Sequence, residues 1–154
     1  MASTRIGVIS DTHGLLRNQA REMLQGCQLI IHAGDIDSPS VLGELERIAP
    51  TTAVRGNMDW ASWANHLRIT ERIQVDTWSI VVVHNIGDLP SLRDNTDIVI
   101  FGHSHKFLQE YRNGLLFLNP GSAGPRRFDI PISMAILTLG AQATVEQKLL
   151  ESKR

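Results

Sequence analysis

Arg5-Ile6-Gly7-Val8-Ile9-Ser10-Asp11-Thr12-His13 is an apolar, β-rich run that stops on a carboxylate and an imidazole. A continuous apolar run of this kind, without alternation, marks a strand buried on both faces. Four more runs end in the same way. Leu29–Ala33 leads into Gly34-Asp35, Thr51–Arg55 into Gly56-Asn57, Trp78–Val83 into His84, and Ile98–Phe101 into Gly102-His103-Ser104-His105. In a mostly parallel sheet the residues just past the strand ends gather on one edge, where ligands usually bind. Asp11, His13, Asp35, Asn57, His84, His103 and His105 delivered to one edge make a metal-binding set of two carboxylates, one amide and four imidazoles.

Each piece alone has an ordinary structural reading. Asp11 can cap a helix, with His13 facing solvent. Gly34-Asp35 and Gly56-Asn57 also read as turns, and His84 also reads as a core or edge histidine. The recurrence decides between the readings, since chance would have to place ligand types at five independent strand ends.

The rest of the chain fits an α/β frame. Leu15–Gly26 reads as a helix stopped by Gly26, a usual left-handed cap. Ser38-Pro39 opens a second helix that ends by Pro50, with Ser38 as cap and Pro39 at the first helical position. This βαβαβ beginning predicts a parallel sheet. Leu67–Val75 and Trp78–Val83 flank Asp76-Thr77 as a hairpin, Leu89–Arg93 reads as one helical turn, and Asp97–Phe101 is another buried strand. Phe107–Tyr111 and Leu115–Leu118 flank Arg112-Asn113-Gly114, a strong hairpin signal. A loop over 120–131 precedes a last hairpin, Ser133–Leu139 and Thr144–Leu150, around Gly140. Two packed sheets with helices outside are expected, as one domain over 1–154.

A length of 154 residues suffices for a proper core. The net charge of -1 gives no basic surface for general nucleic-acid binding. No apolar stretch approaches the roughly 20 residues that cross a bilayer, and the first residues lack the apolar centre of a signal peptide. With Cys27 as the single cysteine, no intramolecular disulfide can form, and a reducing, cytoplasmic setting is expected.

Asp11-Thr12-His13-Gly14, Gly34-Asp35, Gly56-Asn57-Met58-Asp59, His84 and Gly102-His103-Ser104-His105, in this order, resemble the calcineurin-like metallophosphoesterases. The short length and Asn119-Pro120-Gly121-Ser122 resemble the small bacterial and archaeal phosphodiesterase branch. The resemblance implies a four-layer α/β/β/α sandwich of two mixed sheets flanked by helices. It also implies two divalent metal ions, with manganese expected and iron, zinc, nickel or cobalt compatible with nitrogen and oxygen donors. By the resemblance, Asp11, His13 and His105 hold one ion and Asn57, His84 and His103 the other. Asp35 bridges them together with a water or hydroxide that attacks the phosphate ester. Asp35, Asn57 and His103 are the expected catalytic residues, and Asn119–Ser122 shapes the loop beneath the site. Two dications against two carboxylates leave a formal charge of about +2, which favours an anionic ester. A small phosphodiester is the expected substrate, with a phosphomonoester as the alternative. A second alternative is a non-catalytic scaffold like the retromer subunit of this superfamily. The late hairpins offer an edge or a face for a homo-oligomer.

Two positions depart from the family pattern. Many larger relatives carry a histidine after the Asn ligand, where this chain has Met58. Close relatives often read Thr-His-Gly-His where this chain has Val83-His84-Asn85-Ile86. Neither Met58 nor Ile86 can donate a proton. Among the neighbours, His32 is expected to support the site from the core, His66 to be exposed, Asp37 to cap the second helix and Asp59 to orient Asn57. Arg126-Arg127 is a candidate phosphate contact, although an exposed basic pair is the commoner case. Cys27 is read as packing, and Trp60 and Trp63 as burying a corner beside the Asn57 loop.

Overall fold

The computed structural model describes residues 3–92, 95–127 and 129–151. Strands β1 (Thr4–Ile9), β2 (Leu29–His32) and β3 (Thr51–Ala53) are joined by helices α1 (Asn18–Leu24) and α2 (Pro39–Ile48). The chain continues with β4 (Thr70–Val75), β5 (Trp78–Val83), β6 (Ile98–Ile100), β7 (Phe107–Arg112) and β8 (Leu115–Pro120). It ends with β9 (Ile132–Leu139) and β10 (Ala143–Leu150). Two five-stranded mixed sheets result, in the orders β10-β9-β1-β2-β3 and β4-β5-β6-β8-β7. β1, β2 and β3 run parallel in the first sheet and β5, β6 and β8 in the second. The hairpin partners β9, β10, β4 and β7 are antiparallel.

The continuous apolar strands are explained by what lies on each face. Ile6, Val8 and Ile31 of the first sheet meet Ile80, Val82, Ile98, Ile100, Leu116 and Leu118 of the second in the inter-sheet core. Ile9 and Ile30 face the other way, onto Leu24 of α1 and Leu45 of α2. The outer face of the second sheet presents Val83, Val99 and Phe117, covered by Leu89 and Leu92. Where the four-layer plan places helices, the described residues between β5 and β6 hold one 3-10 turn, Ile86–Asp88. Among the described residues no helix is long and apolar enough to cross a membrane.

Several boundaries differ from the sequence reading, each for a local reason. α1 begins at Asn18 rather than Leu15, because the His13 and Gly14 N–H groups are donated to Asp35 O and Ile36 O at 3.0 and 2.8 Å. Gly26 then takes φ +85 as the left-handed stop. The turn read at Leu89–Arg93 lies earlier, at Ile86–Asp88, capped by the Asn85 side chain accepting from Gly87 N. Pro90 explains this, since the residue before a proline is pushed out of the helical region; Arg93 lies outside the described residues. Asp37 does not cap α2. Ser38 does, accepting from Ser40 N at 3.2 Å.

Candidate metal centre

The parallel strands of both sheets end on the same edge, and the loops that follow are stitched to one another by backbone hydrogen bonds. Asp11 N donates to Gly34 O at 3.0 Å, Gly102 N to His84 O at 2.9 Å, and Ala123 N to Ser10 O at 3.0 Å. Backbone conformation carries the same message. Of the eight non-glycine residues with positive φ among the described residues, Asp76 and Asn113 sit in hairpin turns. The other six are Asp11, His13, Asp35, Asp37, His103 and His105. Such conformations cost of order 1–3 kcal/mol each and concentrate where side chains must be aimed.

The structure brings the two carboxylates against three imidazoles. Asp11 Oδ1 lies 3.4 Å from His105 Nε2, 3.8 Å from His84 Nε2 and 3.9 Å from His13 Nε2. Asp35 Oδ2 lies 3.2 Å from His84 Nε2 and 3.7 Å from His13 Nε2, so it reaches both sides. Asn57 and His103 sit at the exposed mouth. Asn57 Nδ2 is 3.5 Å from His103 Nδ1, and the His103 ring meets the His84 ring edge-on at 5.3 Å between centroids.

The donor atoms fit cations. Asp11 Oδ1, His13 Nε2 and His84 Nε2 are buried with no hydrogen-bond partner. Leaving such atoms unpaired costs about 1–3 kcal/mol each, more when charged. The other atom of two of these groups is committed elsewhere. Asp11 Oδ2 accepts from Ser10 Oγ at 2.7 Å and His103 N at 3.2 Å, and His84 Nδ1 donates to Ala33 O at 2.7 Å. His84 Nε2 therefore carries the lone pair of the neutral ring and aims it at the Asp35 carboxylate. Two acceptors facing each other at 3.2 Å need a positive charge between them. Without an ion a proton supplies it. Burial pulls the His84 pKa down, but the hydrogen bond the protonated ring makes to Asp35 and the charges of Asp11 and Asp35 outweigh it, and the pKa is raised. Burial likewise opposes the Asp35 carboxylate, yet His84, the Met58 N–H and His13 hold its pKa down to about 2. Ligand atoms about 2.1 Å from a shared divalent ion lie roughly 3–4 Å from one another, which is the spacing of this donor set. Among the described residues two overlapping groups emerge, Asp11 with His13 and His105, and Asp11 with Asp35 and His84.

The surroundings fix these donors. Gly34, at φ +100, admits no side chain, since a Cβ would lie 2.6 Å from His84 Nδ1. Gly56 lets its loop touch Asp35, where a Cβ would lie 2.1 Å from Asp35 N. His32 supports the site from the core: its Nδ1 accepts from Gly34 N at 3.1 Å, which leaves the proton on Nε2, 3.0 Å from Thr12 Oγ1. Asn119 donates to Gly102 O and Ser104 Oγ, both at 3.1 Å, and clamps the histidine loop. Ser122 Oγ donates to Asp11 O at 3.2 Å.

Asp59 does not orient the Asn57 amide. Its carboxylate accepts from Asp35 N at 3.0 Å, Ile36 N at 3.2 Å, Asp37 N at 2.8 Å and Gly56 N at 2.9 Å, so it holds the two loops together from beneath. Asp37 faces His13, its Oδ2 3.9 Å from His13 Nδ1. Trp63 packs on the core, whereas Trp60 is 75% exposed and buries no corner. Arg126, Arg127 and His66 are exposed, and Cys27 packs in the helix-side core. The sequence carries no sign of the Asp59 clamps, because backbone N–H partners leave no side-chain signature.

Residues 4–142 match the calcineurin-like phosphoesterase superfamily domain. The chain belongs to that superfamily. The metallophosphoesterase relatives include a probable metallophosphoesterase of Methanothermobacter thermautotrophicus, 32% identical over 92% of this chain and 90% of that protein. A phosphodiesterase of Methanocaldococcus jannaschii is 28% identical over 76% of this chain and 82% of its own length. The phosphoesterase fold is shared with vacuolar protein sorting 29 from Cryptosporidium parvum, at a TM-score of 0.77 and 21% identity, covering 96% of this chain and 98% of that one.

Burial of His32 is expected to make the metal-free phosphoesterase domain acid-sensitive. Burial is the main cause that lowers its pKa to about 4. The unfolded chain therefore takes up a proton near the ordinary histidine pKa of about 6.5 while the folded protein does not. Stability contributed by the neutral ring is complete above pH ~6.5 and falls as pH drops toward about 4, by on the order of 3 kcal/mol. The raised pKa of His84 acts in the opposite sense, so urea unfolding of metal-free protein across this window is expected to show a smaller net loss, and His32→Gln to remove it; an unchanged slope in the variant contradicts the assignment.

Proposed function

We propose that this chain is a divalent-metal-dependent phosphodiesterase with a dinuclear centre. Asp11, His13 and His105 hold one ion, Asn57, His84 and His103 hold the other, and Asp35 is shared. The observation that carries this reading is the convergence of the buried, unpartnered His13 Nε2 and His84 Nε2 on the Asp11 and Asp35 carboxylates, with Asp11 Oδ1 itself unpartnered. Bound there, divalent cations supply Lewis acidity toward phosphoryl oxygens and lower the pKa of water. A protein-contact scaffold needs none of these orphaned donors, and the stability they cost argues against that role. The phosphodiesterase name of the M. jannaschii relative favours diesters. A cytoplasmic setting accompanies the reading, supported by a lone buried thiol.

The chain's own residues prepare the site before substrate arrives. Asp35 Oδ1 accepts from Met58 N at 2.8 Å, which leaves Oδ2 to face His84 and His13. Asn57 and His103, exposed at the mouth, complete the donor set on the side open to substrate. Met58 and Ile86, 45% and 39% exposed, offer no proton to a departing alkoxide.

Turnover of bis(p-nitrophenyl) phosphate is therefore expected with Mn²⁺, lost on chelation, and faster than that of p-nitrophenyl phosphate. Across a series of diesters kcat/KM is expected to fall steeply as leaving-group pKa rises, because the departing oxygen leaves without a strong acid. Turnover that survives chelation, or none with Mn²⁺, Fe²⁺, Zn²⁺, Ni²⁺ or Co²⁺, contradicts the proposal. Faster monoester turnover replaces the diester reading with a phosphomonoesterase.

A further inference from the structure

A cleft of about 700 Å³ opens between the edge strands β7 and β10, at the sheet ends from which the candidate ligands emerge. Resting on the phosphodiesterase reading, we propose that this cleft holds a nucleoside, so that the ester brought to Asp11 and Asp35 is a nucleotide phosphodiester. Both walls of the cleft are continuous in chain with segments of the centre. Lys106 and Phe107 follow His105 directly, and Phe107 opens β7 opposite Pro120, the last residue of β8. Asp129, Ile130 and Pro131 lie on the loop whose earlier residues, Ser122 and Ala123, are bonded to Asp11 O and Ser10 O. Gln147 lies on the same side of β10 as Ala143 and Val145, which pack into the inter-sheet core. The cleft is thus the inter-sheet space continued past its filled part, at the edge where the candidate ligands emerge. Its volume is that of small-molecule sites, roughly 300–1,000 Å³.

The lining selects the occupant. Phe107, Ile130 and Pro131 give an apolar wall with an aromatic ring, suited to the face of a heterocycle. The Gln147 amide and the Asp129 carboxylate match the hydrogen-bonding edge of a base and the hydroxyls of a sugar. The Lys106 ammonium, adjacent to His105, belongs on the phosphate side. An acyl chain would desolvate these three polar groups without pairing them, a costly outcome, and a second phosphate deep in the cleft would face Asp129.

Two p-nitrophenyl esters that release the same phenolate provide the test: methyl p-nitrophenyl phosphate, which lacks an occupant for the cleft, and thymidine 5′-(p-nitrophenyl) phosphate, which carries one. The Mn²⁺-loaded wild-type protein is expected to prefer the thymidine ester in kcat/KM by about tenfold or more, the size of one base–aromatic stacking contact. Phe107→Ala and, on the exposed strand β10, Gln147→Ala are expected to reduce that ratio. In the metal-free protein, thymidine is expected to shift the backbone amide signals of Phe107, Ile130 and Gln147. Equal kcat/KM for the two esters, ratios unmoved in both variants, or thymidine shifts absent from these residues overturn the cleft assignment. Hydrolysis of the methyl ester and its loss on chelation report separately on the metal centre, so the two readings fail independently.

Discussion

Asp35→Asn is expected to leave the protein folded and to lower kcat/KM for an aryl phosphodiester by about a thousandfold. That rate loss equals the several kcal/mol of transition-state charge stabilisation that metal ions provide. Asparagine keeps an oxygen for the Met58 N–H, which reaches Asp35 Oδ1 at 2.8 Å. It replaces the charged Oδ2 group, the one within 3.2 Å of His84 and 3.7 Å of His13, by a neutral amide. The loss should appear in kcat/KM together with weaker Mn²⁺ binding by calorimetry, while circular dichroism stays native. Retained activity with retained metal stoichiometry would remove Asp35 from the site. A protein that no longer folds would show instead that the carboxylate is needed for structure.

Asp59→Ala is expected to be the most damaging single change to stability near the site. Asp59 is 1% exposed and accepts from four backbone N–H groups, those of Asp35, Ile36, Asp37 and Gly56. Its removal strands these donors in two loops that touch too closely at Gly56 to repack. Unsatisfied donors cost about 1–3 kcal/mol each, and partial access of water brings the expected total to about 4 kcal/mol. For a chain of this size that is a fall in Tm of roughly 8–16 °C. The loss is expected in metal-free protein too, because the bonds do not depend on ions. Metal affinity should fall as well, since Asp35 sits on the loosened loop. A Tm within a degree or two of wild type would show that the four N–H groups find other partners.

The candidate site was legible in the sequence because apolar runs and the polar groups after them are local. Ile98–Phe101 followed by Gly102-His103-Ser104-His105 states both a strand and what emerges from it, and the two-sheet plan follows from where the hairpin signals begin. The pieces that were not legible depend on contacts distant along the chain. α1 starts late because the N–H groups of His13 and Gly14 are donated to the loop after β2. Asp59 looked like a partner for the Asn57 side chain two residues away, but its partners are main-chain groups, mostly more than twenty residues distant. Trp60 looked like a buried corner by its residue type, and the structure leaves it 75% exposed. The turn read at Leu89–Arg93 falls at Ile86–Asp88 instead, because Pro90 pushes Leu89 out of the helical region.

Crystals grown with excess Mn²⁺ and measured near the manganese absorption edge test the central claim most directly. Two anomalous peaks are expected about 3.5–4 Å apart, one among Asp11, His13 and His105, the other among Asn57, His84 and His103, with Asp35 between them. A single peak, or peaks away from these side chains, would contradict the dinuclear centre.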